Sequence, residues 1–591
     1  MRGHELAGGE AAGAPVTAGP TQTASPARQG GEPAGSLIGP AVGWLSIFTV
    51  SLGLFALRFL VPVPVGMADD GDGARLMCGF GVQPVTGGHP ALDKYAFFRF
   101  DPAASCAGEH VYPSSQHVLL LGAQWLTGML GLPGRINLIA LGLLASAVVS
   151  FGIASLVMGL RLNLWARLAL AAALWLIMAD AAFFDAIASP LSEGATLTGL
   201  LLTAAGLVYL GRSWPATVFG LLLTGIGSYL AILSKEQYLP LVLPVFLAML
   251  LASTVPDHRR KLRRLFTPRT AAAAAVIAVL ATVTGLYVHW VAASPFAGAL
   301  HREQAVDMTF AGIVTGHDNV RADLHALGLP ASWARYAGTS YWTKAGSVRA
   351  DPLYARYAPK ITDGNIGHFL LTHPGRIISV GQYEATRALQ VRVDYLGSYA
   401  PGAGHPPGAL EYRVALVSRL EGAIGSRLGL WYLVPLWILM AAIAIAALRR
   451  QDRRPWRRDG AVLVLCLTGC AIAAFIPPGY FEGTAVTRHM LGMNLANVLP
   501  VPVAVALAIS LLRQALLHRR APGRQATGSP GSGPRTGPHA GAVRQPAAIR
   551  PGRRVAARRC RQDARPPRAW PPGRRRPGWP PPWLCAGPRC G

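Results

Sequence analysis

Apolar residues in this chain come in long unbroken runs, with polar residues gathered between them. Runs long enough to cross about 30 Å of hydrocarbon as a helix lie near 43–65, 136–158, 164–180, 194–211, 215–233, 236–254, 271–291, 428–448, 460–477 and 493–513. The pattern predicts an all-α polytopic membrane protein with about ten transmembrane helices. A shorter run, residues 117–132 (HVLLLGAQWLTGMLGL), is read as an interfacial or re-entrant helix.

Basic clusters then orient the runs, because Lys and Arg in short loops stay on the cytoplasmic side. Residues 258–264 (HRRKLRR), 449–458 (RRQDRRPWRR) and the tail from Arg519 all fall on one side under this layout. Both termini are thereby predicted to be cytoplasmic, in a multi-pass protein of the cell membrane. The opposite, outer face collects the loop 66–116, the turn 180–193, residues 234–238, the turn 478–490 and a polar segment, 294–426. The domain plan is a cytoplasmic extension (1–40), a transmembrane module (41–293), a mostly helical extracytoplasmic cap (294–426), C-terminal membrane helices (427–514) and a cytoplasmic tail (515–591). The first 40 residues lack the basic-then-apolar layout of a signal peptide and are read, like the tail, as disordered.

Composition agrees with the hydropathy pattern. Of 591 residues, 51% are hydrophobic and only 14% charged, with mean hydropathy +0.34; soluble proteins carry about 25% charged residues. The net charge of +27 does not point to nucleic acid. Residues 515–591 hold 17 Arg against the single acid Asp563, so much of the excess lies in a tail rich in Pro, Gly and Arg. The chain has no P-loop, GxGxxG, CxxC or HExxH spacing, and therefore no signature of an ATP-driven pump, a dinucleotide enzyme or a structural zinc site. No cofactor is required by the sequence; a divalent metal held by the acids of the first loop is allowed by it.

The chemistry-bearing residues lie at the predicted outer face. Residues 67–82 (MADDGDGARLMCGFGV) place Asp69, Asp70 and Asp72 just beyond the first run. An acid near a low-dielectric boundary tends to have a raised pKa, which suits a general base, although Asp-Gly turns are also common surface turns. Asp180 and Glu193 sit at the ends of runs with Asp185 between them, and an acid such as Glu193 at a helix N-terminus can equally be a cap. Lys235 and Glu236 sit between two apolar runs with almost no loop, and ionisable groups at membrane depth are functional candidates by default. Arg488 and His489 lie on the outer side against the positive-inside trend. Arg488 has the planar fork that matches phosphate, with an ion pair to Glu482 as the plainer alternative. Cys78 and Cys106 share the first outer loop, where a disulfide can form; Cys466 and Cys470, in a span, are read as packing residues.

In order and spacing, these stretches resemble the GT-C glycosyltransferases, and more narrowly bacterial membrane hexose transferases of cell-surface glycan assembly. The resemblance rests on residues 68–77 (ADDGDGARLM), 184–197 (FDAIASPLSEGATL), 308–330 (MTFAGIVTGHDNVRADLHALGLP), 336–342 (YAGTSYW) and 482–491 (EGTAVTRHML). That group tends to show aromatic–Asn–Ser–aromatic–Ser–Glu in the second stretch. This chain departs from it with Asp185, Ala186, Ile187 and Pro190. The resemblance implies a GT-C-like fold and transfer of a hexose from a polyprenyl-phosphate donor to a glycan acceptor. It implies Asp69, or else Asp70 or Asp72, as the catalytic acid–base group, and Arg488 and His489, helped by Lys235, as the donor-phosphate site. Asp185, Glu193, Glu236 and Glu482 are then expected to contact substrate. Two other readings remain at this stage: a transporter or flippase of a lipid-linked or polar substrate, and a non-catalytic membrane scaffold.

Overall fold

The first apolar run folds as the helix Pro40–Leu60, with Pro40 at its first turn, where a missing N–H costs nothing. The computed structural model describes residues 39–520, apart from 86–92, 104–110, 255–266, 316–318, 344–345 and 451–454. The predicted disordered extension and most of the predicted tail fall outside these, as do the basic cluster 258–264 and Cys106. Cys78 is disulfide-bonded, while its predicted partner is not among the described residues.

Among the described residues, eight helices are long and apolar enough to cross a membrane: Ala41–Leu60, Leu138–Gly159, Trp214–Ile232, Glu236–Ser253, Pro268–Ala292, Leu430–Arg449, Pro455–Phe481 and Leu491–Leu517. A ninth is a broken element, Leu164–Met178 and Ala181–Ile187, bent by 71°. The tenth expected span is corrected: the run 194–211 forms a helix only from Glu193 to Leu207, 15 residues. At 1.5 Å per residue that is about 22 Å, short of the hydrocarbon thickness. Every one of its residues is buried, so its apolarity serves protein packing, not lipid contact.

This short helix packs along Trp214–Ile232 through small residues on both sides, Gly199, Thr203 and Gly206 facing Gly220, Thr224 and Gly227. The backbones approach so closely that a Cβ on Gly199 would stand 2.5 Å from Ala231 N and 2.5 Å from Gly227 O. Close backbone approach through small residues is how membrane helices gain packing without a hydrophobic driving force between them.

The run 117–132 becomes a helix of 14 residues, Gln116–Met129. One side is buried through Leu119, Leu120 and Ala123, and the other exposes Leu121, Trp125 and Met129. That length and that apolar outer side fit the interfacial reading.

The expectation of an all-α chain needs one addition. The first loop forms two short strands, β1 (Val82–Pro84) and β2 (Arg99–Pro102), and β2 also pairs with β3 (Ile136–Asn137), all antiparallel. Asn137 ends β3 and caps the next helix by accepting from Ile139 N.

The cap is helical, as expected, from Pro295 onward, with its own core of Phe310, Leu324, Trp333, Tyr336 and Phe369. The stretch after the helix Pro374–Ala388 does not belong to that core. Val391, Val393 and Leu396 join the main core, and this strap pairs with the start of the first loop: Gly66 N donates to Ser398 O (3.0 Å) and Ala68 N to Gly397 O (2.8 Å). Cys466 and Cys470 are buried and free, consistent with packing.

Replacing Gly199 with Ala is expected to destabilise the protein by about 1–3 kcal/mol, because a methyl group has no room between the two backbones. A lowered midpoint in thermal unfolding in detergent checks this; an unchanged midpoint would mean the helices do not approach this closely.

Candidate functional site

Four separated segments meet at one end of the bundle: the loop after Pro40–Leu60, the start of Glu193–Leu207, the join at Lys235, and the short helix Val486–His489. Arg212 and Arg458 sit at the other end, bonded to Asp459 and to Leu251 O respectively.

Gly71 sets the first loop. Its φ of 114° lies in the left-handed region that favours glycine, and it turns the chain into the helix Asp72–Cys78. Asp69 faces back into this turn. Its carboxylate accepts from Gly71 N (3.0 Å), Gly73 N (2.7 Å) and Ala74 N (2.5 Å). Burial, then the neighbouring Asp70 charge, lifts Asp69 to about 7, against the pull of the amides. Its oxygens are thus committed to shaping the loop, a correction to its expected place as the foremost acid.

Asp70 and Asp72 point the other way. Arg488 bonds Asp70 through Nη1 (2.6 Å) and Asp72 through Nη2 (2.7 Å), with Nε 3.7 Å from Glu193. Lys235 Nζ lies 2.8 Å from Asp72 Oδ2 and 3.6 Å from Glu193 Oε1. His489 Nε2 stands 3.0 Å from Lys235 Nζ and 2.8 Å from Arg488 Nη2, while its Nδ1 pairs with Glu482. With two cations on Nε2, that nitrogen accepts and Nδ1 carries the proton given to Glu482. Glu482 therefore pairs with His489 and not with Arg488.

The electrostatics follow from burial opposed by pairing. Burial would raise Asp72, but Lys235 and Arg488 hold its carboxyl well below the usual carboxylate range. Burial pushes Asp70 up, with Arg488 opposing. Burial would weaken Lys235 as a cation, yet Asp72 and Glu193 raise it above its ordinary value.

A cavity of about 310 Å³ opens beside this cluster. Asp72, Lys235, Glu236 and Glu482 line it, with Tyr112, Tyr287 and Leu239 from the span side and His301, Gln304 and Asp363 from the cap. Of the three expected acids only Asp72 lines the cavity, and of the expected phosphate ligands only Lys235 does. Arg488 and His489 stand behind them. Asp185 does not join the site. It is clamped between Arg58 (2.8 Å) and Arg392 (2.9 Å), beside Glu411, in a buried network, so its expected substrate contact is withdrawn. Glu193 is in the cluster but walled off from the cavity, 0% exposed.

Sequence reasoning missed two groups. Gln237 Nε2 and Tyr238 OH both donate to the His489 carbonyl (2.7 and 2.9 Å), fixing that residue. Their nearness to Lys235 in the chain was the available signal. His301 lies 3.4 Å from both Glu236 and Asp363, and no motif marks it.

The three groups Asp72, Glu193 and His489 have ligand atoms within 4.8 Å of one another, the reach of a metal ion. The donor set is already taken, however, by Lys235 and Arg488 on the same atoms. The arrangement does not fit a bound divalent ion.

The family model described as the YfdI N-terminal transmembrane domain matches residues 32–489, which takes in the whole cluster. No curated protein and no solved structure matches the chain.

Two outcomes follow. Asp69→Asn is expected to cost about 1–3 kcal/mol of stability, since an amide NH2 would face Ala74 N–H and leave donors unmatched; thermal unfolding reads it, and no change would mean the loop does not depend on this carboxylate. His301, pushed up to about 10 by hydrogen bonds to Asp363 and Glu236, stabilises the fold fully below about pH 6.5 and loses that contribution as pH rises through 10. Thermal midpoints should therefore fall between pH 7 and 10, and fall less in His301→Gln; equal slopes would refute the contact.

Proposed function

The chain belongs to the YfdI N-terminal transmembrane domain family, and on that premise we propose that it is an integral membrane glycosyltransferase. It moves a hexose from a polyprenyl-phosphate donor to a glycan acceptor on the outer face of the cell membrane. The observation that carries this reading is the pair Asp72 and Lys235, 2.8 Å apart, both lining one cavity between the membrane helices and the cap.

The donor phosphodiester enters as a monoanion and pairs with Lys235, which, like Arg75, reaches the cavity. As Lys235 turns to the phosphate, Asp72 loses a stabilising partner, and its affinity for a proton rises. The acceptor hydroxyl attacks the anomeric carbon from the face opposite the phosphate. Its proton passes to Asp72, the bond from the anomeric carbon to the phosphate oxygen breaks, and the electron pair leaves with the phosphate. The anomeric centre inverts. The second negative charge that develops on the departing polyprenyl phosphate is met by Lys235, with Arg488 behind it. Asp70 keeps Arg488 in place through its ion pair. Glu236, Gln304 and Asp363 supply polar groups at the cap side, where an acceptor sugar would be oriented.

The test uses the full chain in nanodiscs with a panel of polyprenyl-phosphate hexoses and a glycan acceptor, following release of polyprenyl phosphate. Turnover is expected with one donor, reduced about 10²–10⁴-fold in Asp72→Asn and strongly in Arg488→Ala. Saturable lipid binding without turnover for any donor would instead identify a flippase or a scaffold.

A further inference from the structure

The ammonium of Lys235 occupies a point that coordination chemistry would assign to a metal. Its Nζ lies 2.8 Å from Asp72 Oδ2, 3.0 Å from His489 Nε2 and 3.6 Å from Glu193 Oε1. These are the three side chains whose ligand atoms cluster within 4.8 Å. Two carboxylates and an imidazole are the donor set that suits a divalent transition metal. The imidazole is even in the tautomer a metal requires. Nδ1 is tied to Glu482, an outer carboxylate that orients and strengthens a ligating histidine, and Nε2 is the acceptor.

We propose that Lys235 is a built-in replacement for a divalent cation, so that the centre works without a metal and becomes a metal site once the lysine is removed. Charge decides between the two occupants. Arg488 already contacts Asp72, His489 and Glu193 from one side. A divalent ion added while Lys235 remains would stand within a few ångström of two fixed cations, at several kcal/mol of repulsion for each unit charge at an effective dielectric near 20. Without Lys235, the same three donors face a gap of cation size with one of their two cations gone. The lysine ammonium supplies charge to a phosphate without needing a filled coordination sphere, and it cannot be stripped by a chelator. The inference adds to the proposed transfer that it proceeds without a divalent ion, but its readout is metal binding and stands apart from turnover.

The experiment titrates Mn²⁺ into chelator-stripped full-length protein in nanodiscs and counts bound ion by electron paramagnetic resonance. Wild type is expected to show no tight site. Lys235→Met is expected to bind one Mn²⁺ per chain about 100-fold or more tighter than wild type, and Lys235→Met with Glu193→Gln to lose it again. Lys235→Gln serves as a second variant should the methionine form fail to reach the membrane folded. A stoichiometric Mn²⁺ on wild type that Asp72→Asn removes would overturn the proposal, as would folded Lys235 variants that bind no more metal than wild type. Loss of the transferase reading with the metal result intact would leave a lysine-occupied cation site in a protein of other activity.

Discussion

Two cations, Lys235 and Arg488, are held at the end of an apolar helix bundle, and the arrangement is possible only because carboxylates reach them from distant parts of the chain. An unpaired charge there would cost several kcal/mol in lost hydration. Asp70 and Asp72 come from the first loop and Glu193 from the head of a buried helix. His489 and its partner Glu482 come from the start of the last membrane segment. The fold around the site follows from this need. The first loop must turn sharply at Gly71, the Glu193–Leu207 helix must be sunk in the bundle, and the join at Lys235 must be nearly loopless.

A second ion network lies nearby and clarifies the first. Arg58, Asp185, Arg392 and Glu411 tie the first membrane helix to the strap that follows the cap. Arg58 and Asp185 there are 3% and 0% exposed. In the candidate site, Asp70, Asp72 and Lys235 keep 22%, 15% and 12% of their side-chain surface. The sealed network is a staple; the open one leaves charged atoms for a ligand. Both pair arginine with Asp and Glu, so the sign of the charges alone does not separate them. Exposure of the side chains does.

Much of the site was legible in the chain. Segments 66–116, 180–193, 234–238 and 478–490 were expected on one face, and the structure brings their described site residues to one end of the bundle. That inference needed only run lengths and basic clusters, because hydrocarbon thickness and charge bias act on local sequence. The ranking of acids was not legible. Asp69, Asp70 and Asp72 differ in direction, set by a left-handed Gly71 and three backbone amides. Asp185 was misplaced for a related reason: its partners Arg392 and Glu411 lie more than 200 residues away, and nothing local announces them.

By itself the sequence determined that this is a multi-spanning helical protein with charged groups gathered at the ends of its spans, since hydrophobic length and charge placement are properties of contiguous residues. Only the tertiary structure decided that the run 194–211 is a buried short helix, that Asp72 and Lys235 face the cavity while Asp69 and Arg488 support them, and that a lysine fills the place among Asp72, Glu193 and His489. Those outcomes depend on close backbone approach and on pairing of buried charges across the fold, which no local stretch encodes.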